Sequence, residues 1–119
     1  MNKVPGEHKV VVQLTNNDTL VQKSMIRQLN NILNAFEKIK IEVVVHGPGI
    51  ELLLNKSPLK NNVALLNQKG VAFLACQNTL NEKKIDRSEL LPLCTVVPSG
   101  IAHIIVRQSE GWSYIKAGF

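Results

Sequence analysis

A chain of 119 residues with 45% hydrophobic and 19% charged residues is sized for one domain around one core, and that balance excludes a disordered chain. The formal charge of +5, from 14 Lys and Arg against 9 Asp and Glu, raises nucleic acid or an anionic membrane as partners. Its distribution argues against both: the basic residues are scattered, and the densest group, Lys83-Lys84 with Arg87, is broken by Asp86 and preceded by Glu82 with no interleaved aromatics.

Taken in order, Lys9–Leu14 is β-branched and apolar and predicts a first buried strand. Thr15-Asn16-Asn17-Asp18 supplies capping residues for a long helix. From Leu20 to about Ile39, Val21, Met25, Leu29, Ile32, Leu33 and Phe36 recur at three and four residues, one face of an amphipathic helix. Ile41–Val45 returns to β-branched residues and closes on His46-Gly47-Pro48-Gly49. The two strands and the intervening helix make a βαβ unit with parallel strands and a right-handed crossover. Ile50–Leu54 predicts a short helix, and Ser57-Pro58 opens another that runs to Lys69 and stops at Gly70 in the C′ position.

Gly70 then leads into Val71-Ala72-Phe73-Leu74-Ala75-Cys76, an apolar run typical of a central parallel strand buried on both faces. Gln77–Arg87 predicts a short helix and a loop, and Ser88–Pro92 a brief turn stopped by proline. Thr95–Val97 is a short fourth strand ending at Pro98-Ser99-Gly100, Ile101–Ser109 a helix, and Trp112–Lys116 a last strand nearer the sheet edge. The expected fold is α/β: a three-layer α/β/α sandwich around a five-stranded, mainly parallel sheet, in a single domain over residues 1–119.

Open α/β sheets place their chemistry at the carboxyl ends of the strands. Here those ends bring together Thr15–Asp18, His46–Gly49, Cys76–Thr79 and Pro98–Gly100. Cys76 would sit at a helix N-terminus, where unpaired N–H groups and the helix dipole favour a thiolate or an anion. Asn78 and Thr79 suit the first turn of that helix, and Ser99 the start of the next. Against this stands the plain alternative that Cys76 is a small apolar residue in the core, as Cys94 is expected to be. His46 either polarises the thiol or binds an anion, or is hydrogen-bonded structure. Gly47 and Gly49 lack the G-x-G-x-x-G spacing and fit a tight turn as well as a phosphate loop. His103, inside the fourth helix, reads as structural.

Spacing sets several cysteine chemistries aside. Dithiol exchange wants a cysteine where Thr79 stands, and a phosphatase-type loop wants an arginine where Glu82 stands. A cysteine protease needs an ordered histidine with an Asn or Asp partner, and zinc needs paired ligands that Cys76, Cys94, His46 and His103 do not form. No metal and no cofactor are expected. No stretch has the character of a signal peptide or is long enough to span a bilayer. The expected setting is cytoplasmic, with both cysteines as free thiols. Trp112, Tyr114, Ile115 and Phe119 give the tail an apolar surface that a second copy would bury.

The chain resembles the DsrE/DsrF-like family, small α/β proteins that include sulfur-relay subunits. The residues that carry the resemblance are the opening strand and long helix, Val43-Val44-Val45-His46-Gly47-Pro48-Gly49-Ile50, and Gly70-Val71 leading to Ala75-Cys76-Gln77-Asn78-Thr79. Val97-Pro98-Ser99-Gly100 and Gln108-Ser109-Glu110-Gly111-Trp112 belong to it too, so it covers nearly the whole chain. The resemblance implies a homo-oligomer, a trimer or a hexamer, with a sulfur donor or acceptor protein as partner. It also implies a persulfide held on the cysteine matching Cys76, a sulfurtransferase-type carrier. Relay members continue after that cysteine with small and basic residues, whereas this chain has Gln77-Asn78-Thr79-Leu80-Asn81-Glu82. Two readings follow: a sulfur carrier working through Cys76, or a non-catalytic oligomeric module that binds a small anion or a protein partner at the same edge.

Overall fold

The structure is a computed structural model that describes residues 2–118; Phe119, which contributes to the apolar tail, lies outside the described residues. In chain order it comprises β1 (Val4–Leu14), α1 (Thr19–Ala35), β2 (Phe36–Val45), a 3-10 turn (Gly47–Leu53), α2 (Lys60–Gln68), β3 (Val71–Cys76) and α3 (Gln77–Lys83). A second 3-10 turn (Arg87–Glu89), β4 (Thr95–Val97), α4 (Gly100–Ser109) and β5 (Ser113–Lys116) complete it. The five strands form one sheet in the order β4-β3-β2-β1-β5, and every neighbouring pair is parallel.

That order fixes where the helices go. The chain steps from β1 to β2, β3 and β4 in one direction, so crossovers of one hand lay α1, α2 and α3 on the same face; the return from β4 to β5 runs the other way and puts α4 on the opposite face. Packing follows this division. Val10, Val12, Leu14, Ile41, Val43, Val45, Val71, Phe73 and Ala75 point toward the first three helices and form the main core with Val21, Met25, Ile26, Leu29, Val63, Leu66 and Leu80. The alternate residues Val11, Val44 and Leu74 pack against Ile104 of α4. The sandwich has its three layers, one of them a single helix.

Local signals explain most boundaries. Asp18 caps α1, its carboxylate accepting the Leu20 N–H at 2.8 Å. Gly70, at φ +100°, follows α2 in the left-handed conformation that ends helices. Several boundaries differ from the sequence reading. Helix α1 ends at Ala35 rather than near Ile39, and Phe36 opens β2 instead of continuing the helical stripe, because Phe36 pairs with Val4 of a β1 that starts five residues early. Helix α2 begins at Lys60; Ser57-Pro58 forms a turn before it in which Ser57 Oγ accepts the Leu59 N–H at 3.2 Å.

Candidate functional site

The site lies where helices following two adjacent strands depart to opposite faces. From β3 the chain enters α3 on one face, and from the neighbouring β4 it enters α4 on the other, which opens a crevice at the carboxyl ends of this strand pair. Cys76 is the last residue of β3 and the N-cap position of α3, and β-alternation turns its side chain, like that of Leu74, toward α4. Cys76 thus opens α3 while its side chain faces the start of α4.

Gly100, the first residue of α4, donates its N–H to Cys76 Sγ at 3.3 Å. A side chain at position 100 would bring its Cβ to 3.1 Å from Val44 Cγ1 and 3.4 Å from Cys76 Cβ, so glycine lets the helix approach without pushing Val44 aside. At the start of α3, the backbone N–H groups of Asn78 and Thr79 and the Thr79 hydroxyl add their pull on the thiolate charge. The Thr79 oxygen accepts the Gly47 N–H at 2.9 Å, leaving its own proton free for the sulfur. Burial alone would raise the Cys76 pKa; the Gly100 N–H, the Thr79 N–H and hydroxyl and the Asn78 N–H outweigh it and hold the thiol below its ordinary value.

Cys76 is more enclosed than a strand-end thiol is expected to be, with 5% of its surface exposed, because Gly100 lets α4 sit directly over it. Cys94 differs in kind. It is partly buried against the main core, and burial without compensating hydrogen bonds pushes its thiol up to about 11. Both cysteines are free, and only Cys76 occupies a setting that favours the thiolate.

The other residues singled out from the sequence take different places. His46 follows β2 beside Cys76 but turns to β1: its Nε2 lies 2.8 Å from Gln13 Nε2, whose amide group donates, and Gln13 Oε1 accepts the Tyr114 hydroxyl. Burial and the positive charge of Lys116 lower the His46 pKa, which agrees with a neutral ring accepting that hydrogen bond. Gly47 and Gly49 build a tight loop; a Cβ at Gly49 would stand 2.7 Å from the Leu14 carbonyl oxygen. The Gly49 N–H is already bonded to the Thr15 carbonyl at 3.1 Å. Asn78 is exposed and reaches the sulfur through its backbone only. Ser99 caps α4, its Oγ accepting the Ala102 N–H at 3.2 Å.

Gly100 as a donor, and Gln13 and Tyr114 as partners of His46, were not among the candidates. The spacing Gly100, His103, Ile104, Arg107 on one helix face was the available signal, since that stripe lies against the sheet. Among the described residues no cluster of His, Cys, Asp or Glu could hold a metal ion, and no helix is long and apolar enough to cross a membrane. A groove of about 540 Å3, lined by Glu7, His8, Lys38, Lys40 and Lys69 among others, lies at the amino-terminal end of the strands, away from Cys76.

An all-parallel five-stranded α/β sheet with a helix-capped cysteine at its carboxyl edge defines a class, and comparison with known proteins gives the family. The DsrE/DsrF-like family profile matches residues 8–117, and the chain belongs to that family. Among solved structures it is similar to a protein of unknown function from Methanobacterium thermoautotrophicum, with 36% identity and a TM-score of 0.90 over 92% of this chain and 98% of that one. It is also similar in fold to a conserved protein of unknown function from Bacteroides thetaiotaomicron, at 19% identity and a TM-score of 0.74 over 91% of this chain and 93% of that one. No curated protein matches the chain.

Proposed function

We propose that the protein is a sulfur carrier that holds a persulfide on Cys76, in the manner of the sulfur-relay members of its family. The observation that carries this reading is the Gly100 N–H at the start of α4, which donates to Cys76 Sγ at 3.3 Å, with the Asn78 and Thr79 N–H groups and the Thr79 hydroxyl also favouring the thiolate. Those donors stabilise the thiolate that attacks and would equally stabilise the charge of a terminal persulfide. In the loading step the Cys76 thiolate attacks the outer sulfur of a donor persulfide R–S–SH. The new bond joins Cys76 Sγ to that sulfur, the donor S–S bond breaks, and the donor leaves as the thiolate RS⁻. An acceptor thiolate reverses the sequence on Cys76–S–SH and releases the Cys76 thiolate, with no net oxidation. The protein works here as a homo-oligomer in the reducing cytoplasm, with its exposed Ile101, Ile105, Val106, Tyr114 and Ile115 as surface for a second copy.

One observation favours the second reading, a non-catalytic module binding a small anion or a protein at this edge: Cys76 is only 5% exposed. Native mass spectrometry after treatment with polysulfide separates the two. The wild type is expected to gain one sulfur atom per subunit, Cys76→Ser none, and Cys94→Ser the same as wild type, in an assembly of three or six subunits rather than a 13.2 kDa monomer. An unmodified wild type would leave the binding module as the better reading, and a monomer would remove the oligomer from it.

A further inference from the structure

Helix α4 touches the sheet through Gly100, His103, Ile104 and Arg107, and its apolar grip is slight. Only Gly100 and Ile104 are buried, while Ile101, Ile105 and Val106 face outward. Apolar contact is non-directional and tolerates a helix sliding or lifting by a fraction of a turn. The N–H···S contact of Gly100 does not tolerate it, since a hydrogen bond weakens with distance and angle.

A directional anchor lies one turn further along. Glu42 of β2 projects from the same face as Val44, two residues before it, and Val44 is the residue that Gly100 abuts. Arg107 grips the Glu42 carboxylate with two parallel bonds, Nε to Oε1 and Nη2 to Oε2, both at 2.8 Å. His103 Nε2 lies 2.7 Å from Oε1. The dimensions agree: two strand residues span about 6.6 Å, and His103 and Arg107 lie about 4.5 and 10.5 Å along the helix from Gly100. Arg107 thus spans both carboxylate oxygens, and His103 shares Oε1 with it. The outer side of Arg107 is held as well, by Glu110 at 2.8 Å and by the Trp112 ring, 4.7 Å from its guanidinium. A bidentate pair of this kind has one geometry, so it sets the axial position of the helix in a way that Ile104 cannot.

We propose that Glu42 is a positioning residue for Cys76: by fixing α4 through Arg107 and His103, it holds the Gly100 N–H against the sulfur. The proposal rests on Cys76 being the reactive group, and its test does not depend on sulfur transfer. In a Cys94→Ser background, thiolate absorbance near 240 nm is followed against pH. No charged side chain bonds to Cys76, and His46, the titratable neighbour, is turned to Gln13; with the tyrosinate absorbance subtracted by means of the Cys76→Ser/Cys94→Ser protein, the remaining curve is read as a single ionisation.

Glu42→Gln keeps the shape and breaks the fork, and Arg107→Lys keeps the charge and breaks the same fork. Both are expected to move the Cys76 midpoint toward that of an ordinary thiol, with roughly a threefold or greater loss of thiolate at pH 7. Ile104→Val, which loosens the same helix without touching the fork, is expected to lower the melting temperature and leave the midpoint in place. The double variant Glu42→Gln/Arg107→Lys should move the midpoint no further than the stronger single change, as for groups acting as one unit. A Glu42→Gln midpoint equal to wild type, with only a lower melting temperature, would overturn the proposal, as would an Ile104→Val shift of the same size. An ordinary midpoint in the wild type would overturn both it and the carrier reading. A Glu42-dependent midpoint without polysulfide uptake would remove the carrier reading alone.

Discussion

The two faces of the sheet are built differently. The face under α1, α2 and α3 is mainly apolar, with Phe73, Leu14, Met25, Leu29 and Leu66 fully enclosed. The face under α4 has Val11, Val44, Leu74 and Ile104 in a small cluster, bordered by the Glu42–His103–Arg107 group and by the Gln13–His46–Tyr114 chain. Hydrophobic burial supplies most of a fold's stability without specifying position, whereas hydrogen-bonded charge pairs contribute less and specify more. The first face holds the domain together, and the second aims one helix at one thiol.

Matched substitutions test that contrast most sharply. Leu29→Ala, in the centre of the α1 layer, is expected to cost about 4–5 kcal/mol, whereas Leu74→Ala, under a single helix that can settle into the gap, is expected to cost about 2–3 kcal/mol. Urea unfolding at pH 7 reads both, and equal costs would show that the second face is as firmly packed as the first. A smaller effect is expected for Gly100→Ala, about 1–3 kcal/mol, as a methyl group is forced between α4 and the residues Val44 and Cys76. Its mark is a rise in the Cys76 ionisation midpoint, and an unchanged midpoint would mean that the Gly100 N–H is dispensable.

The smallest effect is the acid dependence of the Glu42 group. Burial raises the Glu42 carboxyl, but the hydrogen bonds and charges of Arg107 and His103 outweigh it and hold the pKa below the usual carboxylate value. A folded value below the unfolded one means that the stabilisation is complete above the unfolded pKa of about 4.3 and is lost as the pH falls through the folded value. The stability difference between wild type and Glu42→Gln, about 1–2 kcal/mol at pH 7, should therefore shrink below about pH 4. A difference that stays constant down to pH 2 would show that the carboxylate charge does not matter.

Much of this could be read from residue order. The apolar run into Cys76, the polar residues after it and the alternation of strand and helix gave the fold, the central strand and the thiol at a helix start. The end of α1 was hidden because Phe36 continues the helical spacing from Leu33 and is out of step with the strand alternation through Ile39, Ile41 and Val43, and no glycine or proline marks the change. Pairing with Val4 decides it. Within the site, Cys76 and Thr79 stood out by type and position. Gly100 did not, because its role is a distance of 3.3 Å across 24 residues, and Glu42 did not, because its partners lie 61 and 65 residues away on a helix that returns over the sheet.

The donors around Cys76 come mainly from the main chain, and this bears on how freely the sequence can vary. Any residue except proline offers an N–H at position 78, so the exposed Asn78 can be exchanged without removing that N–H from the thiol's surroundings. Beside the sulfur, Thr79, whose hydroxyl also serves Gly47, and Gly100, where a side chain would crowd Val44 and Cys76, are tied to their identities, as are Glu42 of β2 and Arg107 further along α4. The rim of the crevice can therefore change its shape and charge, and with them the molecules it meets, while the electrostatic environment of the thiol is inherited intact.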